Sequence, residues 1–275
     1  MCNDCETTFT DTTASPLDHT KSSLKKWGDF IKCMIRGLSL RKTAEYVGIH
    51  YTTAFHWRHK ILDSLDVLLN NTNLKGTVQV DETFVLESCK GNHKHNPNFQ
   101  FPNGRKARKR GGKAKKRGLS KDQVCIACGI DQRNHLVMTV SNYGHISSET
   151  IEKVYDKKIN EVSILCSDGL KEYRIFAQNH NLEHYVIPSG KYKNGIYHIN
   201  NVNSLHSRFK SWLEHFKGVS TKHLQNYVTW FKWLEKYKDL SHTDKIKEFL
   251  IHSNCVFKGT KYHQVSRRSN KVLVQ

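Results

Sequence analysis

The feature that most constrains this fold is a change of hydrophobic period near residue 72. Before it, apolar residues recur at helical spacing; after it, they alternate. In LKKWGDFIKCMIRGL (24–38), Trp27, Phe30, Ile31, Met34 and Ile35 share one helical face. SLRKTAEYVGIHYTTAFHWRHKILDSLDVLL follows. Ser39 is placed to cap a helix through Val47, Gly48 supplies a turn, and Ile49 is the buried turn residue. A further helix resumes from Tyr51 to Leu69, with Ala54, Phe55, Ile61, Leu62 and Leu65 inward. Helix, glycine turn and helix at this length predict a helix-turn-helix DNA-binding domain over 24–72. Thr52, Thr53, His56, Arg58 and Lys60, near the start of the second helix, are residue types that bond phosphates and base edges.

Beyond residue 72 the period is two. TVQVDETFVLES (77–88) predicts one strand. QVCIACGIDQRNHLVMTVSN (123–142) predicts two more around a turn at Gln132-Arg133-Asn134. Cys125 and Cys128 would point to opposite faces of their strand, so their spacing reads as core packing. A helix over 147–159 capped by Ser147 or Ser148, a strand over 161–169, a helix over 170–180 and a strand over 183–190 follow. Two aromatic-rich helices cover 200–216 and 221–238. Trp212, Phe216, Tyr227, Trp230, Phe231 and Trp233 read as core. The catalytic domain is predicted over 73–240, and 241–275 reads as a basic, polar, poorly ordered tail.

The net charge of +19 is concentrated. Lys90 to Lys121 holds 12 Lys and Arg and no Asp or Glu. Its centre contains Arg105, Lys106, Arg108, Lys109, Arg110, Lys113, Lys115, Lys116 and Arg117. Such a run between two strands predicts a basic insertion over about 90–121 that engages nucleic-acid phosphates, driven by counterion release. Membrane spanning is excluded, because no apolar run approaches the roughly 18 residues it needs. MCNDCETTFT lacks the basic start and apolar stretch of a signal peptide. Eight sparse cysteines suit a reducing, intracellular compartment rather than a disulfide framework. Cys2 and Cys5 have zinc-knuckle spacing. A structural zinc site needs four ligands, so residues 1–23 read as the remnant of a zinc ribbon with one knuckle.

Two carboxylates carry the chemistry. Asp81 follows the alternation TVQV, beside Glu82, and Asp168 ends the apolar run VSILCS. Both sit at margins of buried strands, where an unpaired carboxylate is costly. Brought together they repel unless a cation lies between them, and hard oxygen ligands suit Mg²⁺ or Mn²⁺. With the element order and the basic insertion, they predict an α/β, ribonuclease-H-like mixed sheet flanked by helices, preceded by the small all-α domain. Such a core performs metal-assisted phosphodiester transfer.

SLRKTAEYVGIHYTTAFHWRHKIL resembles the helix-turn-helix of a bacterial insertion-sequence transposase family related to eukaryotic Merlin elements. VDETF (80–84), RKRGGKAKKRG (108–118), CSDG (166–169) and HINNVNSLHSRFKSWLEHFKGVSTKHLQNYVTWF (198–231) resemble its catalytic domain in the same order. The resemblance implies a zinc ribbon, a helix-turn-helix and a DDE-type catalytic domain. Asp81 matches the first catalytic Asp and Asp168 the second. Asn203 stands at the third position, giving an Asp-Asp-Asn set for Mg²⁺ or Mn²⁺ in which the amide adds no charge. Lys210 lies seven residues on, close to the same helix face, and resembles the family's trailing Lys that holds phosphate. His198 and His206 read as solvent-facing. The resemblance further implies cleavage at terminal inverted repeats, strand transfer into target double-stranded DNA, a homodimer or higher multimer on DNA, no membrane partner, and a cytoplasmic, nucleoid-associated place in a bacterium. Two competing readings share these residues: a non-catalytic DNA-binding regulator derived from a transposase, and a metal-dependent nuclease without strand transfer.

Overall fold

The computed structural model describes residues 1–4, 6–91, 120, 122–191 and 193–268. In chain order its elements are α1 (Leu24–Ile35), α2 (Leu40–Val47), α3 (Tyr51–Leu69), β1 (Thr77–Leu86), β2 (Gln123–Asp131), β3 (Leu136–Tyr143) and α4 (Ser148–Tyr155). They continue with β4 (Ile164–Ser167), α5 (Lys171–Asn179), β5 (Glu183–Val186), α6 (Asn200–Glu214), α7 (Leu224–Lys236), α8 (His242–Asn254) and α9 (Tyr262–Ser266). The chain separates into two compact units, Met1–Asn71 with Thr229–Arg268, and Thr72–Val228.

In the helical unit, the Ser23 and Ser39 hydroxyls accept from Lys26 N and Lys42 N, capping α1 and α2. Gly48 ends α2 at φ 66° and ψ 48°, a left-handed turn that glycine adopts without a Cβ penalty. His50 caps α3 through Thr52 N. Trp27 of α1 stacks on Trp57 of α3 with centroids 3.8 Å apart, and Phe30 meets Trp57 edge-on at 5.4 Å. Aromatic pairs of this kind add about 0.5–1.5 kcal/mol beyond area burial.

The sequence expectation for residues 241–275 needs correction up to Arg268. Instead of a poorly ordered tail, α8 and α9 form, and α8 packs against α1 and α3. Phe249 is fully buried against Trp233 at 4.6 Å, and the Trp233 indole donates to His252 Nδ1. Arg268 pairs with Asp63. One apolar anchor met by a tryptophan from α7 organises a segment whose own composition is polar.

The other unit is built on a five-stranded sheet of order β3-β2-β1-β4-β5. β1, β2 and β3 form an antiparallel meander; β4 is parallel to β1, and β5 to β4. This mixed arrangement, with helices interposed before the parallel strands, is ribonuclease-H-like. Parallel pairing requires such crossovers, and α4 and α5 provide them. Val78, Val80, Leu165, Tyr155, Tyr173 and Phe176 bury together in the core of this unit. Strand alternation places Glu82 on the same face as Val80 and Phe84, while Gln79, Asp81 and Thr83 point the other way. On that second face α6 packs over β1 and β2. Cys125 and Cys128 are fully buried thiols, as strand alternation predicts for core positions. Among the described residues, no helix is long and apolar enough to cross a membrane.

Candidate active site

Asp81 stands in the middle of β1, beside the point where its parallel neighbour β4 ends, and the turn after β4 carries Asp168. Each carboxylate has one oxygen fixed by its own backbone: Glu82 N donates to Asp81 Oδ1 at 2.8 Å, and Leu170 N donates to Asp168 Oδ1 at 3.0 Å. The second is a local turn of the kind Asp side chains form, the first a bond within β1, and both orient the carboxylates before any ligand arrives. Burial raises Asp81 to about 6; the Glu82 amide opposes that shift, the Asp168 charge adds to it, and Lys210 draws it down. The two acids and the lysine therefore feel one another across the site.

His206 of α6 stands over Asp81, with Nδ1 3.7 Å from Oδ2. That separation exceeds a hydrogen bond. Burial, reinforced by Lys210, lowers the imidazole to about 4, so it is neutral at pH 7. Asn203, His206 and Lys210 follow one edge of α6 at spacings of three and four residues. Val202, Leu205, His206 and Phe209 are buried, whereas Asn203 and Lys210 are exposed. The structure thus groups Asp81 and Asp168 with Lys210, and sets Asn203 one turn before His206 on the rim.

Two participants escape simple sequence reading. The first is His206, expected in solvent but 8% exposed; only the registration of α6 on β1 reveals it. The second is Gln79, 5% exposed in the first half of β1. Its Oε1 accepts from Asn201 N at 2.9 Å and from Val202 N at 3.3 Å, and its Nε2 lies 3.2 Å from Nδ1 of His198, which is half-buried here and not solvent-facing as expected. Gln79 thereby satisfies N–H groups in the first turn of α6, which have no partner within the helix, and fixes where Asn203 begins. A polar residue interrupting TVQV was the available signal.

The DNA-contact expectations fare unevenly. Arg58 is corrected: it is 1% exposed, Nη2 donates to Leu38 O at 2.8 Å, and its guanidinium lies 4.9 Å from the Trp230 ring centroid. Helical periodicity turns position 58 inward, so this charge serves packing. Thr52 is exposed, and its hydroxyl lies 2.7 Å from His50 Nδ1; Thr53 is half-buried. His56 is half-buried against the Tyr262 ring at 3.8 Å, and Lys60 Nζ reaches Pro16 O at 3.5 Å. Arg105, Lys106, Arg108, Lys109, Arg110, Lys113, Lys115, Lys116 and Arg117 lie outside the described residues, as does Cys5 of the proposed zinc pair. The start of the basic run is described: Lys90 Nζ donates to Phe216 O, Lys217 O and Gly218 O at 2.9–3.2 Å. A cation there matches the negative end of α6.

The donor set fits a hard divalent cation. Asp81 is largely withdrawn from water with the half-buried Asp168 close enough to act on it by charge, and neither Asp81 Oδ2 nor Asp168 Oδ2 receives a hydrogen bond from the described residues. No group of three His, Cys, Asp or Glu side chains poised for metal binding occurs among the described residues. A set of two aspartates and an amide contains only two such side chains.

Comparison with known proteins agrees with this architecture. The family model of the ISXO2-like transposase domain matches residues 73–236. The chain belongs to this transposase family. An uncharacterized protein in transposable element ISH50 of Halobacterium salinarum is 25% identical over 239 residues, covering 84% of this chain and 76% of that protein. The crystal structure of a pre-cleavage Mos1 transpososome aligns over 86% of this chain and 81% of its own, at 11% identity and a TM-score of 0.24. A likeness that low carries no structural inference.

Proposed function

We propose that this transposase cuts DNA at the ends of its insertion sequence and joins the freed 3′-hydroxyl ends to target DNA, using Mg²⁺ or Mn²⁺ held by Asp81, Asp168 and Asn203. The observation that carries this reading is the convergence of Asp81 and Asp168, each with one oxygen tied down and one facing the site. When bound, the metal supplies charge neutralisation at the scissile phosphodiester and acidifies water. The chain's residues do the rest. Lys210 holds a phosphate oxygen beside the acids. Neutral His206 shields Asp81 from water without competing for it as a cation. Gln79 sets the start of α6, and hence Asn203. The helix-turn-helix and the basic insertion hold terminal repeats and target duplex, and two copies bring paired ends together.

The test uses the full chain with a supercoiled plasmid carrying paired element ends and either metal. Nicks at the ends followed by joined products support the proposal, with both lost in Asp81→Ala and Asp168→Ala while end binding persists. Joining that survives either substitution overturns it. Cutting without joining would leave the nuclease. End binding without cutting would favour the regulator, a reading to which an uncharged amide at position 203 lends weight.

A further inference from the structure

The loop between β5 and α6 carries an exposed tight turn beside the acids. Its two ends are tied to residues that flank them. Ile187 N donates to Ser167 O at 2.8 Å, next to Asp168, and His198 Nδ1 lies 3.2 Å from Nε2 of Gln79, two residues before Asp81. Between these ends the chain reverses at Gly195-Ile196. Asn194 N donates to Tyr197 O at 2.9 Å and Tyr197 N to Asn194 O at 3.0 Å, Gly195 takes φ 60°, and Asn194 Nδ2 donates to Val186 O. Tyr197 stacks on Tyr185 of β5 with centroids 3.8 Å apart, and both rings are only half-buried. Gln79, Cys166 and Tyr185 are register partners on neighbouring strands. Tyr185 therefore points to the α6 face, as Asp81 does, about 10 Å across the sheet from Gln79. Ile196, at the tip of the turn, is 84% exposed.

A lone exposed apolar side chain is ordinary. This one tops a turn pinned by three hydrogen bonds, beside an aromatic stack and two cations. Lys191 and Lys193 are exposed, and residues 187–199 contain no Asp or Glu. Glu183 of β5 accepts from the Tyr185 hydroxyl at 2.6 Å. An aliphatic side chain that enters a base step unstacks it and kinks the duplex, and an aromatic face receives a base of any identity. A second copy of the chain suits the turn less well, because across a two-fold contact its lysines would meet their own equivalents. We propose that Ile196 wedges into a base step at the element end, that the Tyr185–Tyr197 stack receives the unstacked base, and that Lys191 and Lys193 hold the adjoining phosphates. The turn thereby opens the duplex beside the phosphate presented to Asp81 and Asp168. This role rests on the transposase reading, whose DNA it shapes.

The test titrates the full chain, without divalent metal, onto a duplex copied from the element end. The duplex carries 2-aminopurine, a base that brightens when unstacked, at steps around the cleavage point. Wild type is expected to raise the fluorescence at one of these steps. Ile196→Ala at saturating protein is expected to lose the rise, and Ile196→Leu to keep it. Tyr197→Ala is expected to bind the end about tenfold more weakly. With Mn²⁺ added, Ile196→Ala is expected to cut matched ends about tenfold more slowly. It is expected to recover on ends mismatched at that step, where the base is already free. No rise in wild type bound to the end, or an unchanged rise in Ile196→Ala, overturns the wedge. So does a substitution that alters self-association without DNA and leaves the fluorescence as it was, which assigns the turn to a second copy. Failure to recover on mismatched ends overturns the link to cutting. A wild-type chain that brightens the bound end but never cuts it sinks the transposase reading and leaves the wedge standing.

Discussion

Arg58 in the helical unit and Asp81 in the sheet unit are both charged groups withdrawn from water, and their surroundings are opposite. Arg58 has a carbonyl acceptor in Leu38 and an aromatic face in Trp230. Asp81 has a like charge, Asp168, for a neighbour, and its own burial works against ionisation. A buried charge with its partners in place is part of the structure. One left facing another of the same sign is unfinished, and marks where a ligand completes the protein.

Asp81→Asn strikes hardest at that comparison. End cleavage should fall at least about a thousandfold, the scale of losing preorganised charge stabilisation, as read by plasmid cutting. Stability should move the other way. The folded-state pKa of Asp81, about 6, lies above its ordinary 3.8. Its ionisation therefore costs stability as pH rises through that window, and the cost is fully present at pH 7. Without divalent ions, Asp81→Asn should be more stable than wild type by up to about 3 kcal/mol at pH 7, measured by denaturant titration. A destabilised variant would mean that Asp81 already has its partner. Arg58→Ala should behave inversely, costing the helical unit about 2–4 kcal/mol through a cavity and an orphaned Leu38 carbonyl. The slope of DNA affinity against salt should stay unchanged, because no phosphate contact is lost.

The same contrast explains what could be read from the residues beforehand. Period and caps were legible because they are local: Ser39, Gly48 and the TVQV alternation each act within a turn or a strand. Asp168 was legible as an acid at the end of an apolar strand; Asp81 was legible as an acid after the TVQV alternation, although β1 continues past it to Leu86. Arg58 was misread because side-chain type pointed outward while helical phase pointed inward, and phase won once Trp230 arrived from more than 170 residues away. His206 was invisible for the same reason, and Gln79 showed only as a polar residue interrupting TVQV. Their roles exist only where α6 crosses β1, and nothing within either segment encodes the other's register. The helices after residue 240 depended on Trp233 reaching Phe249, again a contact between segments.

Gln79 and Lys210 sharpen the comparison on a finer scale, because both serve the α6 side of the sheet and only one is buried. Gln79→Leu keeps the size but removes the acceptor for Asn201 N and Val202 N. Leaving those donors unpaired should cost about 1–3 kcal/mol. Cleavage should fall by about tenfold even under conditions where the variant is fully folded, since the first turn of α6 carries Asn203. Equal cutting by folded Gln79→Leu would show that the start of α6 does not need this anchor.

Lys210→Ala should have the smallest effect and the most specific one. The side chain is exposed and crosses no core, so the melting temperature should change little. Its charge lies where it lowers the pKa of both Asp81 and His206, placing a cation over the acids without burying it. If that cation grips a DNA phosphate, its loss should reduce the salt slope of end binding by about one and slow cutting by about tenfold. Lys210→Arg, which keeps the charge, should restore the slope. An unchanged slope in Lys210→Ala with slowed cutting would instead assign the lysine to tuning the acids, and would locate the phosphate grip in the basic insertion.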